Sequence, residues 1–234
     1  MDFSSRSTVN ELMDDPNMDA IAYDLAYKDI NRCNQWLGGY ALTLYAVEKL
    51  IQTHKKKSYT IFDMGCGDGS MLRKLSVFLE RRQIAHKLIG IDLRDDVLDI
   101  ARARSADFDD IEYRKGDILK FGSHHDCDII INTLTMHHFD DENIPLVLDK
   151  FCSLAAVGVV INDLHRSYWA YHLFKLFSVF FINTHTAKYD GLVSISKGFI
   201  KKELVAFSRQ IGNVTHNIQW KWAFRYLWIM KKKE

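Results

Sequence analysis

Residues 58–71 run Ser58, Tyr59, Thr60, Ile61, Phe62, Asp63, Met64, Gly65, Cys66, Gly67, Asp68, Gly69, Ser70, Met71. Tyr59, Thr60, Ile61 and Phe62 are β-branched or aromatic and suit a short buried strand. Asp63 stands at its carboxyl end. The glycines at 65, 67 and 69 then permit a tight turn in which backbone N–H groups come close to a ligand. From Met71 the pattern becomes helical, with Leu72, Leu75, Phe78 and Leu79 on one side and Arg73, Lys74, Glu80 and Arg81 between them. Strand, glycine turn and helix amino terminus, in that order, make a seat for a nucleotide-like ligand.

A dinucleotide fingerprint needs a third glycine three residues after the second, and Ser70 occupies that place. Three glycines on alternate positions, with an acid two residues before the first, resemble motif I of the class I S-adenosylmethionine (SAM) methyltransferases. The resemblance implies a Rossmann-like α/β fold: a seven-stranded, doubly wound, mostly parallel sheet ending in an antiparallel hairpin, with a helical cap. It implies that Gly65, Gly67 and Gly69 pack against the tail and ribose of SAM, and that Asp63 helps hold its amino group. A glycine-rich turn with no ligand is the alternative.

The 234 residues suit one domain, and two prolines with no low-complexity segment predict no linker. A net charge of +1 leaves no electrostatic footprint for nucleic acid. Cys33, Cys66, Cys127 and Cys152 lack metal or disulfide spacing and read as free thiols of a reducing compartment. The polar, acidic amino terminus does not read as a signal peptide, so a cytoplasmic protein is expected. The expected parts are a helical cap over 1–53, a SAM-binding core over 58–164, a substrate lid over 165–198, and a helix with the terminal hairpin over 199–234.

Residues 1–16 are polar and predict a frayed or mobile arm. A short helix over 19–27 precedes a longer one over 30–49 that Gly38 and Gly39 interrupt, which asks for a packing or ligand reason. In methyltransferases of this kind the amino-terminal helices cover the SAM pocket, so Arg32 is a candidate for the SAM carboxylate. A solvent-facing arginine is the alternative.

The second strand, 87–91, ends in Asp92 and Leu93. A carboxylate there matches a vicinal diol, so Asp92 is read as the ribose ligand and Leu93 as an adenine contact; Asp92 as a helix cap is the competing role. After a third strand over 111–114, Asp117 and Ile118 resemble the family's acid and apolar neighbour at the adenine. The fourth strand, 127–133, brings Asn132 to the donor side and leads to His137 and His138. These histidines are substrate, base or loop-orienting candidates, and no carboxylate partner suggests a metal. The fifth strand, 157–161, runs into Asn162, Asp163, Leu164, His165 and Arg166, a polar cluster that is costly to bury without a function. His165 is a general-base candidate with Asp163 setting its tautomer, and Arg166 a substrate contact; a structural cap is the alternative.

Residues 168–182 form the most apolar run, including Tyr168 and Trp169, too short to span a bilayer. It reads as a lid whose aromatics, Tyr168 and Trp169 among them, meet a hydrophobic acceptor, though contact with a membrane surface is also compatible. A loop over 185–196 turning at Asp190 and Gly191, a helix over 197–211, and strands over 213–220 and 222–230 complete the chain. The expected activity is methyl transfer from SAM to a small hydrophobic acceptor, with a phenolic or enolic hydroxyl favoured, His165 and His138 the bases, and no metal. A monomer or homodimer is expected. A non-catalytic scaffold that binds SAM or SAH, and a C- or N-methyltransferase acting on a lipid-like, tRNA or protein acceptor, are the rival readings.

Overall fold

The computed structural model describes residues 2–15, 17–121 and 127–233, so Met1, Pro16 and Glu234, included in the expectations for the termini, lie outside it. Seven strands form one sheet: β1 (Ser58–Met64), β2 (Ala85–Asp92), β3 (Ile111–Lys115), β4 (Cys127–Thr133), β5 (Ala155–Leu164), β6 (Val214–Lys221) and β7 (Arg225–Lys232). Their order is β3-β2-β1-β4-β5-β7-β6. The first five are parallel, and β7 runs against both β5 and β6. The expected doubly wound sheet with its terminal hairpin is therefore present.

Alternation along β1 splits the core in two. Tyr59 and Ile61 pack with Leu72, Leu75 and Leu79 of α3 (Ser70–Glu80), while Phe62 and Met64 pack with Val147, Leu148 and Phe151 of α5 (Asn143–Leu154). All these side chains are at most 1 % exposed, and each aliphatic or aromatic group so buried contributes about 1.5–3 kcal/mol. The strand order reverses between β1 and β4, so a crevice opens beyond their carboxyl ends.

Four segments differ from their expected form. Helix α1 (Ala20–Trp36) is continuous through 28–30, because Asp29 is buried and accepts from Asn183 N, Thr184 N and Thr184 Oγ1. The real break is Gly38, at φ +75°, before α2 (Gly39–Thr53). A Cβ on Gly39 would lie 2.6 Å from Asn34 Oδ1 and 3.0 Å from the Arg225 guanidinium, which is the packing reason for the pair. Residues 185–197 form a helix, α7 (His185–Lys197), capped by Thr184. Its Gly191 is no turn residue: Phe174 of α6 (Tyr168–Phe181) sits where a Cβ would be, 2.3 Å away. The following helix, α8, is confined to Lys201–Ser208, because Phe199 bridges to His165 as a strand would.

The fourth difference is the amino-terminal arm, which is pinned. Ser7 N donates to Ser196 O, and Arg6 reaches Lys197 O, Phe139 O, His137 O and the Asp141 carboxylate. Leu12 N and Met13 N donate to Asp190 on α7. Among the described residues no helix is long and apolar enough to cross a membrane.

Candidate active site

A cavity of about 560 Å³ lies at the carboxyl ends of β1 and β4, within the range for small-molecule sites. Its walls come from the glycine turn, α1, the arm, the segment after β4, α6, α7 and the β6–β7 turn. At the glycine turn, Asp63, Gly65, Gly67, Asp68, Ser70 and Asp92 line it. The glycines serve geometry more than amide donation. Gly65 N and Cys66 N both donate to Ile91 O, and Gly69 N to Cys66 O. Gly65 has φ +79°, and a Cβ there would meet Thr135 Cγ2 at 2.4 Å. Gly69 lies off the cavity, with the Tyr113 hydroxyl where its Cβ would be.

The acids divide into spent and available groups. Asp68 is fully engaged by Asn31, Ser70 N, Arg73 and Arg104. Asp92 Oδ2 accepts from Gly67 N at 3.0 Å and Oδ1 from Arg94 N, yet the group still borders the cavity. Burial raises its pKa, and the amides that bond it pull the other way. Asp92 is not the cap of α4 (Asp95–Arg104), whose N-cap residue is Arg94. Asp63 is 2 % exposed, and its Oδ1 has no hydrogen-bond partner. Burial, then the charges of Asp92 and Asp68, push its pKa well up. A buried, orphaned carboxyl beside the cavity fits a cationic ammonium, and the Asp92 carboxylate fits a ribose diol.

Several sequence candidates stand elsewhere. Arg32 pairs with Asp29 at 3.2 Å and reaches Phe181 O, bracing α1 against α6 outside the cavity. Two arginines do line the wall: Arg94, paired with Asp96 at 2.7 Å, and Arg225, 4 % exposed, which donates to Asn34 Oδ1 at 2.7 Å and Asn162 Oδ1 at 3.4 Å. Burial lowers the pKa of Arg225 to about 10. Asn132 is also off the cavity: its amide donates to Met64 O at 2.6 Å and ties β4 to the end of β1. Leu93 is 61 % exposed, Asp117 caps Leu119 N, and Ile118 belongs to the core, so none of the three lines the cavity.

The cluster at the end of β5 splits by alternation. Leu164 faces the cavity, while His165 turns away, accepting from Trp220 Nε1 at 3.2 Å and packing on Tyr226. Arg166 is buried and structural, bonded to Glu203, Gly198 O and Phe3 O. Tyr168 and Trp169 are more than half exposed on the outer face of α6; the inner face offers Ala170, Leu173, Phe174 and Phe177. Asp163 does set the tautomer of a histidine, but of His137: Nδ1 lies 2.7 Å from Asp163 Oδ1.

His137 and His138 do line the cavity, in a 3-10 turn that lays their rings side by side, centroids 4.4 Å apart. Glu11 of the arm stands beside them, 3.6 Å from His137 Nε2 and 3.8 Å from His138 Nε2. Burial works against charge on His137, but the Asp163 and Glu11 carboxylates outweigh it and raise its pKa to about 9. Burial and the His137 charge lower that of His138. Glu11, Met13, Asp14, Trp222, Ala223, Phe224 and Arg225 carry no local sequence signal of a site; long-range chain contacts alone bring them here.

Residues 61–158, from inside β1 to inside β5, match the family model described as "Methyltransferase domain". That stretch is similar to a methyltransferase domain, and the fold around it is that of the class I methyltransferases. A curated relative, carboxy-S-adenosyl-L-methionine synthase of Desulfotalea psychrophila, is 25% identical over 188 residues, 74% of this chain and 69% of that protein. The solved plantazolicin methyltransferase BpumL, in complex with SAH, is similar in fold, with a TM-score of 0.65 and 16% identity over 92% of this chain and 96% of that one. A SAM-dependent methyltransferase from Aquifex aeolicus is similar in fold at a TM-score of 0.57, with 14% identity over 80% of this chain and 89% of its own. The orphaned Asp63, Asp92 and the glycine turn are the groups at this cavity that fit a donor such as SAM.

Proposed function

We propose that this methyltransferase moves the methyl group of SAM to a small, largely apolar acceptor, with a phenolic or enolic hydroxyl as the favoured atom. The observation that carries the reading is one continuous cavity. It joins the donor groups Asp63, Gly65, Gly67 and Asp92 to an apolar wall of Leu134, Leu173, Phe174, Phe177 and Ile195 and to the imidazole of His138. In the reaction the S–CH3 bond of the sulfonium breaks as the O–CH3 bond forms in line with it. The protein's main work is to align the two partners and keep water out. A phenol has a pKa of about 10, so a neutral imidazole helps by taking its proton. His138, whose pKa is lowered, holds that neutral form, whereas His137 is held charged between Asp163 and Glu11.

For the carboxylate of the donor's amino-acid tail we assign Arg225, which has no carboxylate within ion-pair distance among the described residues and is on the cavity wall. If so, Arg225→Met weakens SAM but not methylthioadenosine, which lacks that tail; equal weakening of both discards the assignment. A second reading follows from the same arginine: Arg225 holds an additional carboxylate on the donor, as the name of the curated relative suggests. Mass spectrometry of the nucleoside carried through purification separates the two. The test of the main reading is incubation with labelled SAM and a panel of phenols, enols and amines. Labelled methyl on a phenol or enol supports it. SAH binding without transfer to any member favours the scaffold reading instead.

A further inference from the structure

We propose that Glu11, His137 and His138 form a binding site for a first-row divalent transition cation whose open position faces the cavity. The three residues come from two distant segments, the arm and the turn after β4, and each offers a ligand atom within 4.8 Å of the other two. Tetrahedral zinc ligands, with bonds of about 2.0–2.2 Å, stand about 3.3–3.6 Å apart. The Glu11 carboxylate stands near that spacing from each ring, with Oε1 3.6 Å from His137 Nε2 and Oε2 3.8 Å from His138 Nε2, and a cation would draw the three ligand atoms in from within 4.8 Å of one another.

The second observation concerns the unused nitrogen. His137 is 3 % exposed, and its Nε2 is buried with no hydrogen-bond partner. Its Nδ1 faces Asp163 at 2.7 Å, the carboxylate–histidine arrangement that fixes an imidazole's tautomer and aims the other nitrogen at a metal. His86 gives the contrast: it too faces an aspartate, but both of its ring nitrogens are occupied, by Ile84 O and Asp110, each at 2.7 Å. His137 Nε2 instead faces the Glu11 carboxylate from 3.6 Å, outside hydrogen-bond distance.

Charge points the same way. The Glu11, Asp14 and Asp163 carboxylates lie within 4 Å of this histidine pair, and the cation among them is Lys197, 3.6 Å from Glu11 Oε1 and from Asp14 Oδ2. Two imidazoles and a carboxylate suit zinc, manganese, iron or cobalt, and leave coordination positions open. All three ligands line the cavity, so those positions are within reach of an acceptor oxygen. That last role rests on the reading of the cavity as an acceptor site; cation binding itself does not, and a cation on His138 Nε2 takes the place of the proton-accepting role given to that imidazole above.

The experiment uses the full chain, stripped with a chelator and titrated with cobalt, zinc and manganese chlorides. Calorimetry and the visible absorption of bound cobalt follow binding. SAH affinity is measured on the same samples. The expected result is one equivalent of cation on the wild type, with His138→Ala and Glu11→Gln each weakening it at least ~10-fold and Asp163→Asn by ~10–100-fold, while SAH affinity persists. His138 is partly exposed, so its alanine variant keeps the comparison open if the more buried Glu11 variant fails to fold. Absence of heat and of a cobalt spectrum overturns the site and leaves a proton on His137 as the only occupant. An affinity that His138→Ala leaves unchanged also overturns it. A wild type that binds the cation but not SAH keeps the site and discards the donor reading.

Discussion

The two ends of the cavity are built in different ways. The donor end comes from one run of chain, β1 to α3, with Asp92 from the adjacent strand. The end proposed for the acceptor is assembled from the arm, the turn after β4, α6, α7 and the β6–β7 turn, elements up to about the whole chain apart in sequence. A site that is local in sequence leaves a motif, because backbone geometry dictates residue type at fixed spacings. A site assembled by tertiary contact leaves none, because only its packing partners constrain it. The same difference predicts how each end breaks.

The largest effect is expected at the acceptor end. His138→Asn removes the neutral imidazole and lowers turnover by about 10²–10⁴, the span for losing a general base. SAH affinity stays within a few-fold, since the donor groups are untouched. Single-turnover rates with calorimetry on the same variant read both quantities; a parallel loss of SAH binding denies that the ends are separable.

Gly65→Ala tests the donor end next. The left-handed φ of +79° costs a non-glycine residue about 1–2 kcal/mol, and the Cβ would meet Thr135 at 2.4 Å, adding about 1–3 kcal/mol of overpacking. A fall in melting temperature together with weakened SAH binding is expected. An unchanged melting curve contradicts the view that close packing, rather than a ligand, demands this glycine.

Legibility follows the same division. Gly65, Gly67, Asp63 and Asp92 are readable because a strand–turn–helix sets their spacing, and the structure brings all four to the cavity. Arg32 and Asn132 are misread for a rotational reason: an approximate helix phase or strand face does not say which side meets the ligand. Arg32 looks to α6 and Asn132 to the backbone of β1. Asp190 and Gly191 look like a turn by composition, yet the glycine serves helix–helix packing and the acid anchors the arm. Glu11 is hardest of all, since a polar arm gives no sign that it will be tied down beside His137, Ser194 and Lys197.

Asp92→Ala is expected to act on SAM alone. Hydrogen bonds to a charged group contribute about 1.5–3 kcal/mol, so affinity for SAM falls by about 10–150-fold in calorimetry. A change of less than threefold withdraws the ribose assignment.

The pH dependence of the acceptor end hinges on Asp190. Burial, with the Glu11 and Asp14 charges nearby, raises its pKa from 3.8 to about 6, although Leu12 N and Met13 N hydrogen-bond its carboxylate. The folded state then holds the proton more tightly than the unfolded chain. Its stabilising contribution is complete below about pH 4 and is lost as the pH rises through about 6. Melting temperatures across that window should slope downward with pH for this group, and Asp190→Asn should flatten the slope by a few degrees. A slope that the variant leaves intact assigns it to other carboxylates.

His165→Gln is expected to do least. The imidazole faces Trp220 and Tyr226 rather than the cavity, and Leu164 takes the inward position of that strand end. Losing the bond from Nε1 of Trp220, a residue about half exposed, costs about 0.5–1.5 kcal/mol at most. Turnover and SAH affinity should both match the wild type. A single residue of register separates this outcome from its opposite, because neighbouring side chains on a strand point to opposite faces. If turnover collapsed while the melting temperature held, the end of β5 would have to be turned over, with His165 inward. The acceptor would then lie against the β6–β7 hairpin instead of beneath α6.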